Sequence, residues 1–147
     1  MHHVIPGWYT TISPYYFVLG VALYFLSLVL FLFVVSIQVF GIKKKKYLQV
    51  MSIGNLTLCI LCACELLIRS FEFIIAWYSG YLTDQFLFFN RSLGTYWLLY
   101  LVMMWLPLLL TQVFWKKKNR EHINLTLVIL FLFNLGRIID ALVNAFS

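Results

Sequence analysis

The sequence predicts an all-α polytopic membrane protein: a four-helix transmembrane bundle in a single domain, residues 1–147, with both termini on the outer side. The first reason is composition. Of the 147 residues 63% are hydrophobic and 11% charged, and mean hydropathy is +0.93. No water-soluble domain of this size can hide so much apolar surface, so a bilayer must be the solvent. The second is segmentation, because four apolar stretches are each long enough to cross about 30 Å of hydrocarbon at about 1.5 Å per residue. The third is the placement of the basic residues in two short clusters between apolar runs.

The elements follow in order. The N-terminal MHHVIPGWYTTISP has no basic n-region and no A-x-A-like cleavage site, so the first apolar run, 14–40, is expected to remain as a membrane span. Span two covers 48–78, the longest, and must tilt or protrude. Span three covers 94–115, with Pro107 expected to kink it, and span four covers 123–146. Lys43, Lys44, Lys45 and Lys46 separate spans one and two, and Lys116, Lys117, Lys118 and Arg120 separate spans three and four. By the positive-inside rule both clusters face the cytoplasm, which places the termini and the 76–97 connection outside, in the periplasm of a bacterium. Trp8, Trp77, Tyr78, Tyr81, Tyr96 and Trp97 then fall at the outer boundary, and Tyr47 and Trp115 at the inner one, the depth that amphipathic rings prefer. The net charge of +6 does not indicate nucleic acid, because its bases are not spread over an aqueous face.

Ionisable residues inside the predicted spans are the informative ones. Glu65, Arg69 and Glu72 lie on span two, and Arg137 and Asp140 on span four. Each would cost on the order of 2.5 kcal/mol or more at the bilayer centre, so they need partners or water. Glu65 and Arg69 are one turn apart, as are Arg69 and Glu72, and Arg137 and Asp140. Spans two and four run in the same direction, and Glu65 lies as far beyond Lys46 as Arg137 beyond Lys118, about 28 Å of straight helix. If the helices touch, Glu65 with Arg137 and Arg69 with Asp140 form a cross-helix ion-pair cluster in the outer half of the membrane. Two accounts stand side by side: a lock between helices, or a proton route or polar pocket for a quinone head group. Three acids for two bases leave one acid able to exchange protons.

The remaining candidates have plainer readings. Cys59, Cys62 and Cys64 do not make a haem attachment site, which needs C-x-x-C-H, and are read as small packing residues. His2 and His3 are read as solvated and His122 as interfacial. Asn55, Gln112 and Asn134 are read as interhelical hydrogen-bonding residues. No nucleophile elbow, phosphate loop, HExxH motif or iron-sulfur cysteine set is present, so no direct metal or haem ligand is expected.

Several strings resemble one family. GWYTTISPYYFVLG (7–20), Glu72, AWYSG (76–80), QFLFFNR (85–91), Gly94, Tyr96 and Trp97, Pro107, Gln112, FWKK (114–117), and Asn134 to Gly136 are similar to the NrfD/polysulfide-reductase membrane subunit family. The resemblance is nearest to the second four-helix bundle of the quinol-oxidising subunit of alternative complex III, and it spans nearly the whole chain. Asp140 stands where that family tends to carry Glu, and Val50 and Tyr9 stand where it often carries His.

That resemblance implies a membrane subunit of a quinol-oxidising respiratory electron-transfer complex in an energy-transducing membrane. Other membrane subunits would supply the first bundle, and a haem or iron-sulfur subunit would sit on the outer side. A quinone or quinol would bind at an interface with a partner, because the family's pocket is placed in the first bundle. Glu65, Arg69, Glu72, Arg137 and Asp140 become the expected proton path or ion-pair set. Trp77, Tyr78, Asp84, Asn90, Arg91, Tyr96 and Trp97 become the expected partner-docking surface. Two other readings remain open: a four-span transporter or channel acting as a dimer, and a purely structural or assembly subunit.

Overall fold

A computed structural model describes residues 7–41, 45–78 and 105–146, together with Leu98 and Val102. Among the described residues the chain is all helical. Helix α1 runs Gly7–Phe40 and α2 Lys45–Tyr78; then come α3, Leu106–Thr111, a 3-10 turn, Gln112–Trp115, a single-turn helix α4, Lys117–Arg120, and α5, Ile123–Phe146. Of these, α1 contains the one segment that by length and hydropathy alone could cross a membrane, Phe17–Phe40, while Leu106–Trp115 and Ile123–Ile139 are apolar but shorter.

Buried positions show why these helices associate. The stripes run, on α1, Leu23, Ser27, Leu30, Val34 and Ile37; on α2, Met51, Asn55, Leu58, Cys62, Glu65 and Arg69; and on α5, Thr126, Leu130 and Phe133, with Cys59, Ile129 and Asn134 buried beside them. Every one of these runs alternates steps of three and four residues, the spacing that keeps one stripe of a helix facing its neighbours. Helix α1 packs against both α2 and α5, and α3 packs against both α2 and α5. The four helices therefore form a ring in which α2 and α5 lie on a diagonal.

The stripes are more polar than the surface around them. Ser27, Asn55, Glu65, Arg69, Thr111, Thr126 and Asn134 are buried, whereas Phe17, Phe25, Leu32, Ile53, Leu67, Phe71, Val128, Phe131 and Ile138 are exposed. The exposed hydroxyls of Ser36, Thr57 and Ser70 each donate to the carbonyl four residues back, at 2.8–3.0 Å. Turning a hydroxyl onto its own helix satisfies it without another partner.

Chain breaks have local causes. Gly41 has φ 62°, the left-handed conformation that ends a helix and reverses the chain out of α1. Gly54 lets α1 approach α2: a Cβ there would run into the Leu30 side chain, with Leu30 Cγ at 3.2 Å. Pro107 lies in the first turn of α3. Lys116 is extended, with ψ 123°, and separates the end of the α3 segment from α4. Ahead of Pro107, Val102 and Trp105 are already helical, in the wider π form, so Pro107 stands where a π turn passes into α3, the kind of irregularity that bends a helix.

Candidate functional site: a carboxylate between two arginines

Glu65 and Arg69 face inward from α2, and Arg137 faces them from α5. Glu65 Oε1 accepts from Arg69 Nη2 at 2.7 Å and from Nε at 3.2 Å. Its other oxygen, Oε2, accepts from Arg137 Nη2 at 2.6 Å. Glu65 is 1% exposed, Arg69 7% and Arg137 19%. The Arg137 guanidinium also lies over the Phe133 ring, 5.4 Å from its centroid, a cation–π contact that gives it a second partner inside the bundle. The diagonal helices are thus tied by long side chains rather than by close backbone packing.

A neutral support lies beside this triad. Asn134, one turn before Arg137, donates to the Leu130 carbonyl at 2.8 Å and its Oδ1 accepts from Ser27 Oγ at 3.1 Å. The Ser27 hydroxyl also lies 2.9 Å from the Tyr24 carbonyl, so two acceptors share its single hydrogen. That contact ties α1 to α5 next to the charges.

A second polar level joins the same diagonal toward the α4 end. Asn55 Nδ2 donates to Thr126 Oγ1 at 2.8 Å and to the Arg120 carbonyl at 3.0 Å. Gln112 Nε2 reaches the Cys59 carbonyl at 3.4 Å, and Gln112 Oε1 accepts from Trp115 Nε1 at 2.9 Å. Asn55, Gln112 and Asn134 therefore do bridge helices. Between the two levels, Leu23, Leu58, Cys62, Leu108, Leu130 and Phe133 form one buried apolar cluster. Asn55 and Glu65 are separated by about 15 Å along α2. The layer between them holds cysteine thiols but no carboxylate or imidazole among the described residues.

The expected ion-pair set is partly brought together. Arg69 pairs with Glu65 on its own helix, where the i,i+4 geometry lets two guanidinium nitrogens reach one oxygen, and it makes a further interaction besides; the expected bond from Arg69 to Asp140 lies outside the described residues. Asp140 lies on α5 one turn beyond Arg137, and its side chain is outside the described residues. Glu72 is half-buried one turn beyond Arg69 and is engaged by a partner of its own. Depth also differs from the straight-helix expectation. The extended Lys116 and the turn α4 interrupt the chain, so Arg137 stands about 21 Å beyond the start of α5 and about 15 Å from the level of Arg120, not 28 Å.

Of the expected docking residues, Trp77 stacks on Phe73 with ring centroids 6.5 Å apart and 14° between planes, and Tyr78 is exposed. Asp84, Asn90, Arg91, Tyr96 and Trp97 lie outside the described residues, as do His2, His3, Lys43 and Lys44. Cys59, Cys62 and Cys64 are free thiols, the first two buried and the third exposed. Among the described residues no group of three His, Cys, Asp or Glu side chains is placed to hold a metal ion.

Sequence reasoning passed over Ser27, Thr111 and Thr126, all buried. For Ser27 and Thr126 the signal was there: a small hydroxyl on the same three-four stripe as buried leucines. Thr111, whose hydroxyl donates to Leu108 O at 2.6 Å, needed the position of α3 to be known. No protein-family model matches this chain, and no curated protein matches it.

Proposed function

We propose that the chain is a multi-pass membrane protein of four spans, N-out and C-out, and that its charged triad locks the two diagonal helices of the bundle. One observation carries this reading: a carboxylate saturated by two arginines sits inside a ring of helices whose outward side chains are large and apolar. In water such a surface would associate without control, whereas in lipid polar residues gather inside and apolar ones outside. The lysines at the α2 start and the α3–α5 turn give the orientation.

Within that frame the chain is a membrane subunit of a quinol-oxidising respiratory complex of the alternative complex III type, packed against a second four-helix bundle. The motif resemblance supports this part, and the triad suits a subunit whose task is to hold a scaffold rather than to react. A proton route through Glu65, Arg69, Glu72, Arg137 and Asp140 would open toward the outer side and end at the Leu58–Leu130 layer. A scaffold role therefore fits the geometry better than conduction across the whole bilayer.

Purification from native membranes in mild detergent tests the reading. Co-purification with a haem-bearing or iron-sulfur subunit and quinol oxidation by the assembly is the expected result. A homodimer without cofactor-bearing companions would overturn it in favour of a transporter. Glu72→Gln and Asp140→Asn should lower the yield of assembled complex while leaving turnover per complex intact. Loss of proton-coupled turnover in fully assembled complex would instead establish conduction.

A further inference from the structure

The two lysine clusters stand at different heights on the same end of the bundle. Lys45 and Lys46 open α2, while the Arg120 carbonyl is held by Asn55, ten residues further along that helix, about 15 Å at the helical rise. Gln112 meets α2 at Cys59, so the whole segment 112–120 flanks residues 55–59 rather than the helix start. The α1–α2 hairpin continues past this turn, and its last turns remain paired, with Phe33 and Tyr47 rings 6.3 Å apart. The inner end of the molecule is therefore stepped, with a lower tier of Lys116, Lys117 and Lys118 and an upper tier of Lys45 and Lys46.

All five lysines are exposed, and so are the side chains around them: Val39, Phe40, Tyr47 and Val50 on the hairpin, and Trp115 beside the lower tier. The indole N–H of Trp115 is held by Gln112, which fixes its ring at the shelf. Glu121 is the one acid among the described residues of this end, so the charge of the step is strongly positive. An aqueous partner would leave the apolar hairpin face wet, and a plain hydrocarbon surface would leave five cations without counter-ions. A molecule with an acyl chain and an anionic head satisfies both.

We infer that the step binds anionic phospholipid: the phosphate headgroups gather between the lysine tiers beside Tyr47 and Val50, and the acyl chains run from there past Trp115 toward the level of Glu65. The inference rests on the membrane reading above and adds a lipid class to it. The flexible lysine stems of both tiers bend toward one phosphate layer, and each charge near such a surface is worth about fivefold in local anionic-lipid enrichment. The step also decides where the hydrocarbon lies. Measured from the lower tier, a core of about 30 Å centres on Glu65, and the bound lipids are drawn in to meet that tier.

The test uses the full chain reconstituted in bilayers containing phosphatidylglycerol or phosphatidylcholine brominated high on the acyl chain. The readout is the fluorescence quenching contributed by Trp115, taken as the difference between the unmodified protein and Trp115→Phe. The expected result is at least about fivefold preference for the brominated phosphatidylglycerol, declining as salt is raised. Lys116→Gln/Lys117→Gln/Lys118→Gln should bring the preference below about twofold, and Lys45→Gln/Lys46→Gln should reduce it from the other tier. Equal quenching by the two lipids, or a preference that survives both sets of substitutions, overturns the inference while leaving the membrane reading in place. Failure to enter bilayers, with no quenching by either lipid, overturns the membrane reading itself.

Discussion

Glu65→Gln removes one negative charge and almost no volume, so its effect isolates what the carboxylate does for Arg69 and Arg137. Both arginines then keep their charge in a setting where they are 7% and 19% exposed, with a neutral amide between them. Removing one partner of a buried ion pair typically destabilises by about 3–5 kcal/mol, because the surviving charge is left without compensation. Arg137 retains a fifth of its surface and can recruit water, which puts the expected loss near the lower end, about 3 kcal/mol. Arg137→Met should be milder, about 1–2 kcal/mol, since it gives up one charge-assisted hydrogen bond but leaves Glu65 and Arg69 as a balanced pair. The triple variant Glu65→Leu/Arg69→Leu/Arg137→Leu should lose less than Glu65→Gln, because an apolar replacement removes the desolvation cost with the charges, and what it still loses is the further interaction that Arg69 makes. Reversible unfolding in mixed micelles with increasing dodecyl sulfate, followed by helical circular dichroism and by tryptophan emission, measures all three, provided the two signals coincide. A Glu65→Gln protein within about 1 kcal/mol of the original would refute the reasoning, and so would an Arg137→Met protein less stable than Glu65→Gln.

Three further outcomes follow from the packing. Gly54→Ala should lose about 1 kcal/mol despite the better helix propensity of alanine, because its Cβ displaces Leu30, and the loss should shrink in a Leu30→Ala background; a stabilised Gly54→Ala protein would contradict the close approach of α1 and α2. Asn55→Ala releases the Arg120 carbonyl and Thr126, costing about 1–3 kcal/mol and speeding tryptic cleavage between Lys116 and Arg120 at least severalfold; unchanged cleavage would show that the turn is held by something else. In detergent an apolar maleimide should label one thiol rapidly, Cys64, and reach Cys59 and Cys62 only after denaturation; two or three equivalents taken up by folded protein would refute the buried placement of the α2 stripe.

Much of the helical stripe pattern was written in residue order. The three-four spacing of Leu23, Ser27, Leu30 and Val34, or of Leu58, Cys62, Glu65 and Arg69, follows from the 3.6-residue turn and so is readable without coordinates. The distance between Lys118 and Arg137 was not readable in the same way. A run of residues gives length only while the helix continues, and the extended Lys116 with the turn at Lys117–Arg120 breaks it without a proline or glycine at the break. Pro107 shows the converse case, a residue whose type signals an irregularity and which stands where a π turn at Trp105 passes into α3.

The sequence by itself determined that the chain is helical, that polar and charged residues share the stripes which helices turn toward one another, and that Glu65 stands within one turn of Arg69. Those are consequences of composition and of the period of a single helix. Only the tertiary structure decided that α2 and α5 lie across a diagonal, that one carboxylate serves both arginines, and that the two lysine clusters stand at different levels. Each of these depends on how separate helices are set against one another in height and rotation. Close-packed side chains such as Leu30 against Gly54 and the clasp of Asn55 on Arg120 fix that setting, and the periodicity of any one helix carries no record of it.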